Sequence, residues 1–338
     1  MQIEIISFTE QGSRTAEKIE EIMSSEKYSS KLVQRHDGRK LEQTLQEWCQ
    51  NAFSHARLLI FVGATGIAVR TIAPFLKDKF TDPAVLVVDE KADYVIPILS
   101  GHVGGANEYA AYLAEHLSAT AVITTATDLN QKFAVDLFAR KNQLVIRDRA
   151  WAKEISAAIL RGEKIDFSCE GKVNGKVPGE LCKTSEKQEA QHRISIGIHT
   201  SDHLTPKAVT LGIGCRKDKP AEELEQFLLK YLKQQQIALE SISCVASVDK
   251  KKEEPGILAF CQKYELDFQT FSPEQLKQIP GDFSESSFVE ENIGVGNVCE
   301  RAAVCAQKGE QCHMILPKTA ENGMTLAMAE KEWSVTFE

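Results

Sequence analysis

The sequence predicts an α/β protein of more than one domain, with mainly parallel sheets and flanking helices. Three observations carry that prediction. Short β-branched runs alternate with longer amphipathic segments through the first 150 residues, the rhythm of βαβ units. The 338 residues exceed the roughly 250 at which single hydrophobic cores stop growing. The texture changes near Trp151 and again after Lys207, so three parts are expected: an N-terminal α/β domain over 1–135, a small β-containing middle domain over 136–205, and a C-terminal α/β domain over 206–338.

Compact apolar and β-branched runs place strands at Ile3 to Phe8, Leu58 to Val62, Val85 to Val88, Tyr94 to Leu99, Ala121 to Thr125 and Leu144 to Ile146. Helical spacing of apolar residues places helices at Ala16 to Met23, Leu41 to Phe53, Gly104 to Leu117 and Gln131 to Lys141. One more helix runs from Trp151 to about Leu160. Strand-like and polar stretches follow, where Gly171, Gly175, Pro178 and Gly179 punctuate a β-rich insert over Lys172 to Thr184. Behind the strand-like Ile194 to Ile198, the segment Thr200 to Lys207 reads as a linker. Val209 to Arg216 then reads as a strand ending in a glycine turn. Pro220 opens a helix over Ala221 to Lys233, because proline suits the first turn and Glu222 and Glu223 suit its positive end. Further βα alternation runs through Ile242 to Ser247, Ile257 to Tyr264, Asn297 to Ala306, Met314 to Leu316 and Met324 to Ala329.

Bulk properties exclude several classes. Apolar residues at 43% and charged residues at 26% are the balance of a globular chain. The opening Gln2-Ile3-Glu4-Ile5-Ile6-Ser7-Phe8 has no basic lead, so no secretory leader is expected. No apolar run approaches the ~18 residues of a membrane span. The nine cysteines are odd in number, scattered and never spaced as CxxC, which argues for reduced thiols in a cytoplasm rather than a disulfide scaffold or zinc site. Of the formal charge of −8, most lies late: residues 1–207 hold 26 Lys+Arg against 27 Asp+Glu, and residues 208–338 hold 14 against 21. With no basic stripe, nucleic acid is not an expected partner.

The candidate site residues sit in glycine-rich strand-to-helix segments. In Ser100-Gly101-His102-Val103-Gly104-Gly105-Ala106-Asn107, glycines let the backbone approach a ligand and present amides at the positive end of a helix. An anion is the natural occupant. His102 can serve there as general base, general acid or axial metal ligand. The competing reading is a tight turn with His102 capping the helix. In the second segment, Gly63-Ala64-Thr65-Gly66-Ile67-Ala68-Val69-Arg70, Gly63, Thr65 and Gly66 can nest a carboxylate or phosphate that Arg70 also reaches; ordinary capping by Thr65 is the alternative. Thr125 and Asp128 follow a further strand and suit the same surface, or plain N-capping. In a parallel sheet all three segments lie at the carboxyl ends of strands, where ligands of open sheets bind. The C-terminal part adds Gly212, Gly214 and Arg216 in one glycine turn, and Gly294, Gly296 and Glu300 before and within a helix. Cys215 beside Arg216 is a nucleophile or a small buried filler. Neither GxGxxG nor a P-loop is present, so a nucleotide-dependent transferase is weakly supported.

These strings together resemble the CbiG-type proteins of anaerobic cobalamin biosynthesis, the cobalt-precorrin-5A hydrolases. The resemblance runs through Phe61 to Arg70, Ser100 to Asn107, Ile123 to Asp128 and the two C-terminal glycine motifs, and covers nearly the whole chain. It implies a hydrolase that opens the δ-lactone of a cobalt-bound tetrapyrrole, whose two-carbon fragment then leaves as acetaldehyde. The C-terminal part resembles the stand-alone CobE-type protein. The resemblance implies no cofactor, since cobalt arrives with the substrate, no metal site of the protein's own, and transient contact with neighbouring enzymes of the pathway. The roles of His102 as catalytic group and of nearby amides as oxyanion donors rest on chemistry alone. A carrier that ferries unstable intermediates is the reading from a different class, and an acetaldehyde trap separates the two.

Overall fold

The computed structural model describes residues 2–24, 32–78, 81–101, 104–125, 132–183 and 192–337. They fall into two compact units, residues 1–137 and 138–338. The α/β class with mainly parallel sheets is as predicted.

The first unit is built on strands β1 (Gln2–Ser7), β2 (Leu32–Asp37), β3 (Leu58–Val62), β4 (Ala84–Val88), β5 (Tyr94–Leu99) and β6 (Thr120–Ala121), in the order β2-β1-β3-β4-β5-β6. The first four run parallel, β5 runs antiparallel to β4, and β6 is parallel to β5. Every residue of β3 and β4 is buried, because helices cover both faces. Ile3, Ile5, Leu58, Ile60 and Leu86 pack with α1 (Glu10–Met23) and α4 (Ala106–Leu117). Their alternates Ile6, Leu59, Phe61, Val85 and Val87 pack with α2 (Leu45–His55) and α3 (Thr65–Ile72).

Several boundaries differ from the sequence reading. Helix α1 begins at Glu10, where Thr9 accepts the Gly12 N–H; its polar first turn carries no apolar period to find. Thr44 and Glu47 form a reciprocal capping box, so α2 starts at Leu45. Strand β2 was not predicted: it is an edge strand whose LVQRHD is largely exposed and shows no alternation. Strand β6 is two residues long, with Val122 to Thr125 irregular. The predicted helix start at Gln131 lies outside the described residues, and α5 is seen as Val135–Lys141.

The second unit holds two five-stranded sheets. One has the order β10-β8-β11-β12-β7, from β7 (Leu144–Ile146), β8 (Ile165–Cys169), β10 (Leu181–Lys183), β11 (His192–Ile196) and β12 (Leu204–Pro206), with α6 (Arg149–Leu160) beside it. The predicted linker Thr200 to Lys207 is corrected here. Leu204, Thr205 and Pro206 are buried and pair β11 to β7. The end of the predicted insert, Thr184, lies outside the described residues, and its β9 (Lys172–Asn174) pairs with β18 (Ser334–Thr336).

The other sheet has the order β15-β14-β13-β17-β16, from β13 (Val209–Cys215), β14 (Ile242–Val248), β15 (Asp267–Phe271), β16 (Cys312–Glu321) and β17 (Met324–Lys331). Its first three strands are parallel and β17 and β16 form an antiparallel hairpin. Leu211 and Ile213 pack on α7 (Ala221–Gln234) and α8 (Pro255–Lys263). Cys244, Ala246 and Val248 cluster with Leu276 of α9 (Pro273–Lys277), Ile293 of α10 (Ser287–Ile293) and Ala302 of α11 (Cys299–Cys305). No helix among the described residues is long and apolar enough to cross a membrane.

Candidate functional site

Strand β5 ends in a tight turn into α4. Ser100 takes φ 54, and its Oγ donates to the Asp82 carbonyl at 3.0 Å. Its own carbonyl accepts the Ala106 N–H at 3.2 Å, and the Gly101 carbonyl accepts the Asn107 N–H at 3.0 Å. A Cβ at Gly101 would stand 2.7 Å from Asn107 Oδ1, and one at Gly104 would stand 2.8 Å from the Ser100 carbonyl oxygen. Gly105 caps α4 at φ 84. The turn itself therefore demands these glycines, and it delivers the first-turn amides of α4 to the loop. Asn107 is buried, and its Nδ2 donates to Thr125 Oγ1 at 3.1 Å. Ser100–Asn107 and the segment ending in Thr125 are thus brought together. His102, Val103 and Asp128 lie outside the described residues.

The Gly63–Arg70 segment is elsewhere. Gly63 N–H donates to the Val88 carbonyl at 2.8 Å. Thr65 and Gly66 are exposed in the first turn of α3, and the Arg70 guanidinium folds back to 3.6 Å from where a Gly66 Cβ would lie. The expectation that the strings share one end of a parallel sheet is corrected, because Gly63 adjoins Val88 while Gly104 adjoins Ala84 at the opposite end of β4. At ~3.3 Å per residue, the two ends of this five-residue strand stand about 13 Å apart. The reason is local. Residues 89–93 alone join β4 to β5, too few for the crossover a parallel pair needs, and Ala92 at φ 62 closes a hairpin there.

The C-terminal candidates divide similarly. Gly212 lies within β13, paired on both sides, and a Cβ there would collide with the Cys299 carbonyl. It admits the close approach of α11 rather than opening an amide nest, and that reading is corrected. Gly214 is half-buried, its carbonyl accepting Thr325 Oγ1 at 3.3 Å. Arg216 is exposed at the strand end, its side chain lying across Gly323. Burial pushes the Cys215 thiol up to about 11, so it is neutral at physiological pH and no activated nucleophile. Gly294 caps α10 at φ 91, and the Gly296 carbonyl accepts the Ser286 N–H. Glu300 is buried and fully occupied. Its Oε2 accepts Ser284 N–H and Oγ–H at 2.9 Å each and Asn297 Nδ2 at 2.5 Å, while Oε1 accepts the Lys318 N–H at 2.7 Å. Its reading as a ligand contact is corrected to a tie between three chain segments.

Sequence reasoning missed one constellation. A pocket of about 290 Å³ in the first unit is lined by Gln2, Glu4, Gln34, His36, Gln43, Trp48, Asn51, Ala52 and His55. Glu4 is 2% exposed. Its carboxylate takes His36 Nε2 at 2.6 Å, His55 Nε2 at 3.2 Å and Gln2 Nε2 at 2.7 Å. Burial alone would push its pKa up, but the His36, His55 and Gln2 donors more than offset this and hold it below the ordinary value. A carboxylate alternating with buried Ile3 and Ile5 was the available signal. Among the described residues no group of three or more His, Cys, Asp and Glu is arranged to hold a metal ion.

Fold and site define a multidomain α/β protein whose glycine turns deliver helix amides to strand-end loops, beside a separate carboxylate–imidazole pocket. The chain is 34% identical over 296 residues, 82% of its length and 83% of the relative's, to the cobalt-precorrin-5A hydrolase of Salmonella typhimurium. Family models for the cobalamin synthesis G N-terminal region, the cobalamin biosynthesis central region and the cobalamin synthesis G C-terminus match residues 47–128, 133–222 and 209–329, and the chain belongs to that family. A solved cobalamin biosynthesis protein G homologue from Sulfolobus solfataricus is 26% identical, with 98% of this chain and 97% of that one covered and a TM-score of 0.41. The solved CobE structure is 26% identical over 36% of this chain and 89% of its own, with a TM-score of 0.34.

Proposed function

We propose that this protein hydrolyses cobalt-precorrin-5A, opening its δ-lactone and releasing acetaldehyde to leave cobalt-precorrin-5B. The observation that carries the reading is 34% identity, across 82% of the chain, to a relative named for that reaction. The chemistry of the first unit supports it. The substrate is a flat disc rimmed by acetates and propionates, and the polar turn that Asn107 ties to Thr125 suits one carboxylate arm. An acidic protein can hold a polyanion where a few donors are aimed locally, without a basic stripe. Thr65, Gly66 and Arg70, and separately Arg216, are further proposed anion contacts.

Lactone hydrolysis and the later carbon–carbon cleavage both move protons. His102, between Gly101 and Gly104 in the sequence, is the proposed proton carrier at the glycine turn. Cobalt enters as part of the substrate, and the proposal needs no resident cofactor. Nine free thiols suit a cytoplasmic setting, where contact with enzymes that supply and consume the macrocycle is transient.

The test is incubation with the lactone-bearing cobalt intermediate, with macrocycle mass and volatile product followed together. Acetaldehyde stoichiometric with substrate is expected, and the His102→Ala variant should release none while remaining folded. Tight binding without aldehyde would replace this reading with that of a carrier.

A further inference from the structure

Glu4 stands in the middle of β1, between the wholly buried Ile3 and Ile5. A carboxylate withdrawn from water there is costly unless it is matched by donors. Tying the edge strand to α2 would need one donor; two imidazoles and an amide converge instead. An ionised carboxylate only accepts, so each imidazole gives it the Nε2 hydrogen and keeps its lone pair on Nδ1. This is how a hydrolytic dyad sets its tautomer and stabilises the imidazolium it forms.

The pocket lies on the α2 side of the sheet, whereas the glycine turn leads into α4 on the other side, with the wholly buried Leu59 and Val85 between them. It is therefore a place of its own. A volume of about 290 Å³ admits one rim of the substrate disc, with the Trp48 indole as an apolar wall. The other titratable groups of α2 take no part: burial pushes the Cys49 thiol up to about 12, and Glu47 is held by Thr44.

We infer that this pocket is a second acid–base centre of the reaction proposed above, with His36 as the catalytic base for lactone opening and Glu4 as its positioning residue. The inference rests on the hydrolase reading. A lone pair of water oxygen forms the bond to the lactone carbonyl carbon as His36 Nδ1 takes the water proton. Collapse of the tetrahedral adduct breaks the acyl carbon–oxygen bond. The alkoxide released takes a proton back from the imidazole pair, so the product is the hydroxy acid and one water has been added. His102 is then left to the carbon–carbon cleavage.

The experiment compares the full-length wild type with the His36→Gln, His55→Gln and Glu4→Gln variants. It reads macrocycle mass, acetaldehyde, kcat and KM against pH, and thermal melting. In His36→Gln the macrocycle should keep the unhydrated lactone mass, with kcat lower by about 10²–10⁴-fold and KM near the wild-type value. Glu4→Gln should lower kcat and move the acidic limb of its pH profile. A purely structural pocket would instead give lower melting temperatures, with kcat and the pH limb unchanged, and would overturn the inference. Because His36 sits half-exposed on the edge strand, its variant decides the matter even if Glu4→Gln fails to fold. If the wild type releases no acetaldehyde, the hydrolase reading fails, and this assignment falls with it.

Discussion

Replacing Glu300 by Gln should destabilise the second unit by about 2–4 kcal/mol, even though the substitution is nearly isosteric. Four donors end on this buried carboxylate: the Ser284 N–H and Oγ–H and the Asn297 amide on one oxygen, and the Lys318 N–H on the other. Glutamine has one acceptor oxygen. If that oxygen keeps the three-donor side, the new NH₂ faces the Lys318 N–H, leaving a backbone donor unsatisfied at about 1–3 kcal/mol. The three remaining bonds also lose their ionic character, which roughly halves them and costs about 1 kcal/mol more. Removing one neutral hydroxyl by Ser284→Ala should cost only about 1 kcal/mol. Denaturant titration gives the global value, and amide exchange at Ser284 and Lys318 locates the loss, since these two amides should exchange faster in the Gln variant. The reasoning is refuted if Glu300→Gln costs no more than Ser284→Ala, or if both amides stay protected.

Gly104→Ala should lower the melting temperature and abolish acetaldehyde release, because its Cβ would press on Ser100 at 2.8 Å from the carbonyl oxygen, an overpacking worth about 1–3 kcal/mol. Gly179→Ala, which meets nothing within 4 Å, is the matched control and should melt with the wild type. Acid should weaken the first unit partly through Glu4. Its pKa lies below the ordinary 4.5, so the stability it contributes is complete above that value and is lost as pH falls through its lower folded-state value. Denaturation midpoints of Glu4→Gln should therefore fall less on acidification than those of the wild type. Cys215→Ser should retain full acetaldehyde release, because a thiol at about 11 is ionised at only about one part in ten thousand at pH 7; loss of activity would restore it as a nucleophile.

Much of the fold was legible where local and tertiary preferences agree. The buried runs of β3 and β4 read as strands because both faces are covered. The polar edge strand β2 was silent, since its stability comes from pairing with β1 rather than from its own pattern. The reversed β5 was readable in principle from the short connection at residues 89–93, but the assumption of parallel strands hid it. Treating Thr200 to Lys207 as a linker failed because Thr205 and Pro206, turn formers by composition, are buried between two strands.

What the chain order by itself determined is the set of glycine turns. Ser100 to Asn107 must bend where it does because the atoms that exclude a side chain at Gly101 and Gly104 lie within the same eight residues. Which of those turns face a common place was decided only by the sheet, because strand direction depends on pairing across the molecule. The same holds for the pocket at Glu4. Its histidines come from β2 and α2, 32 and 51 residues away, and a spacing that long carries no information about distance until a buried charge and its donors have been packed against one another.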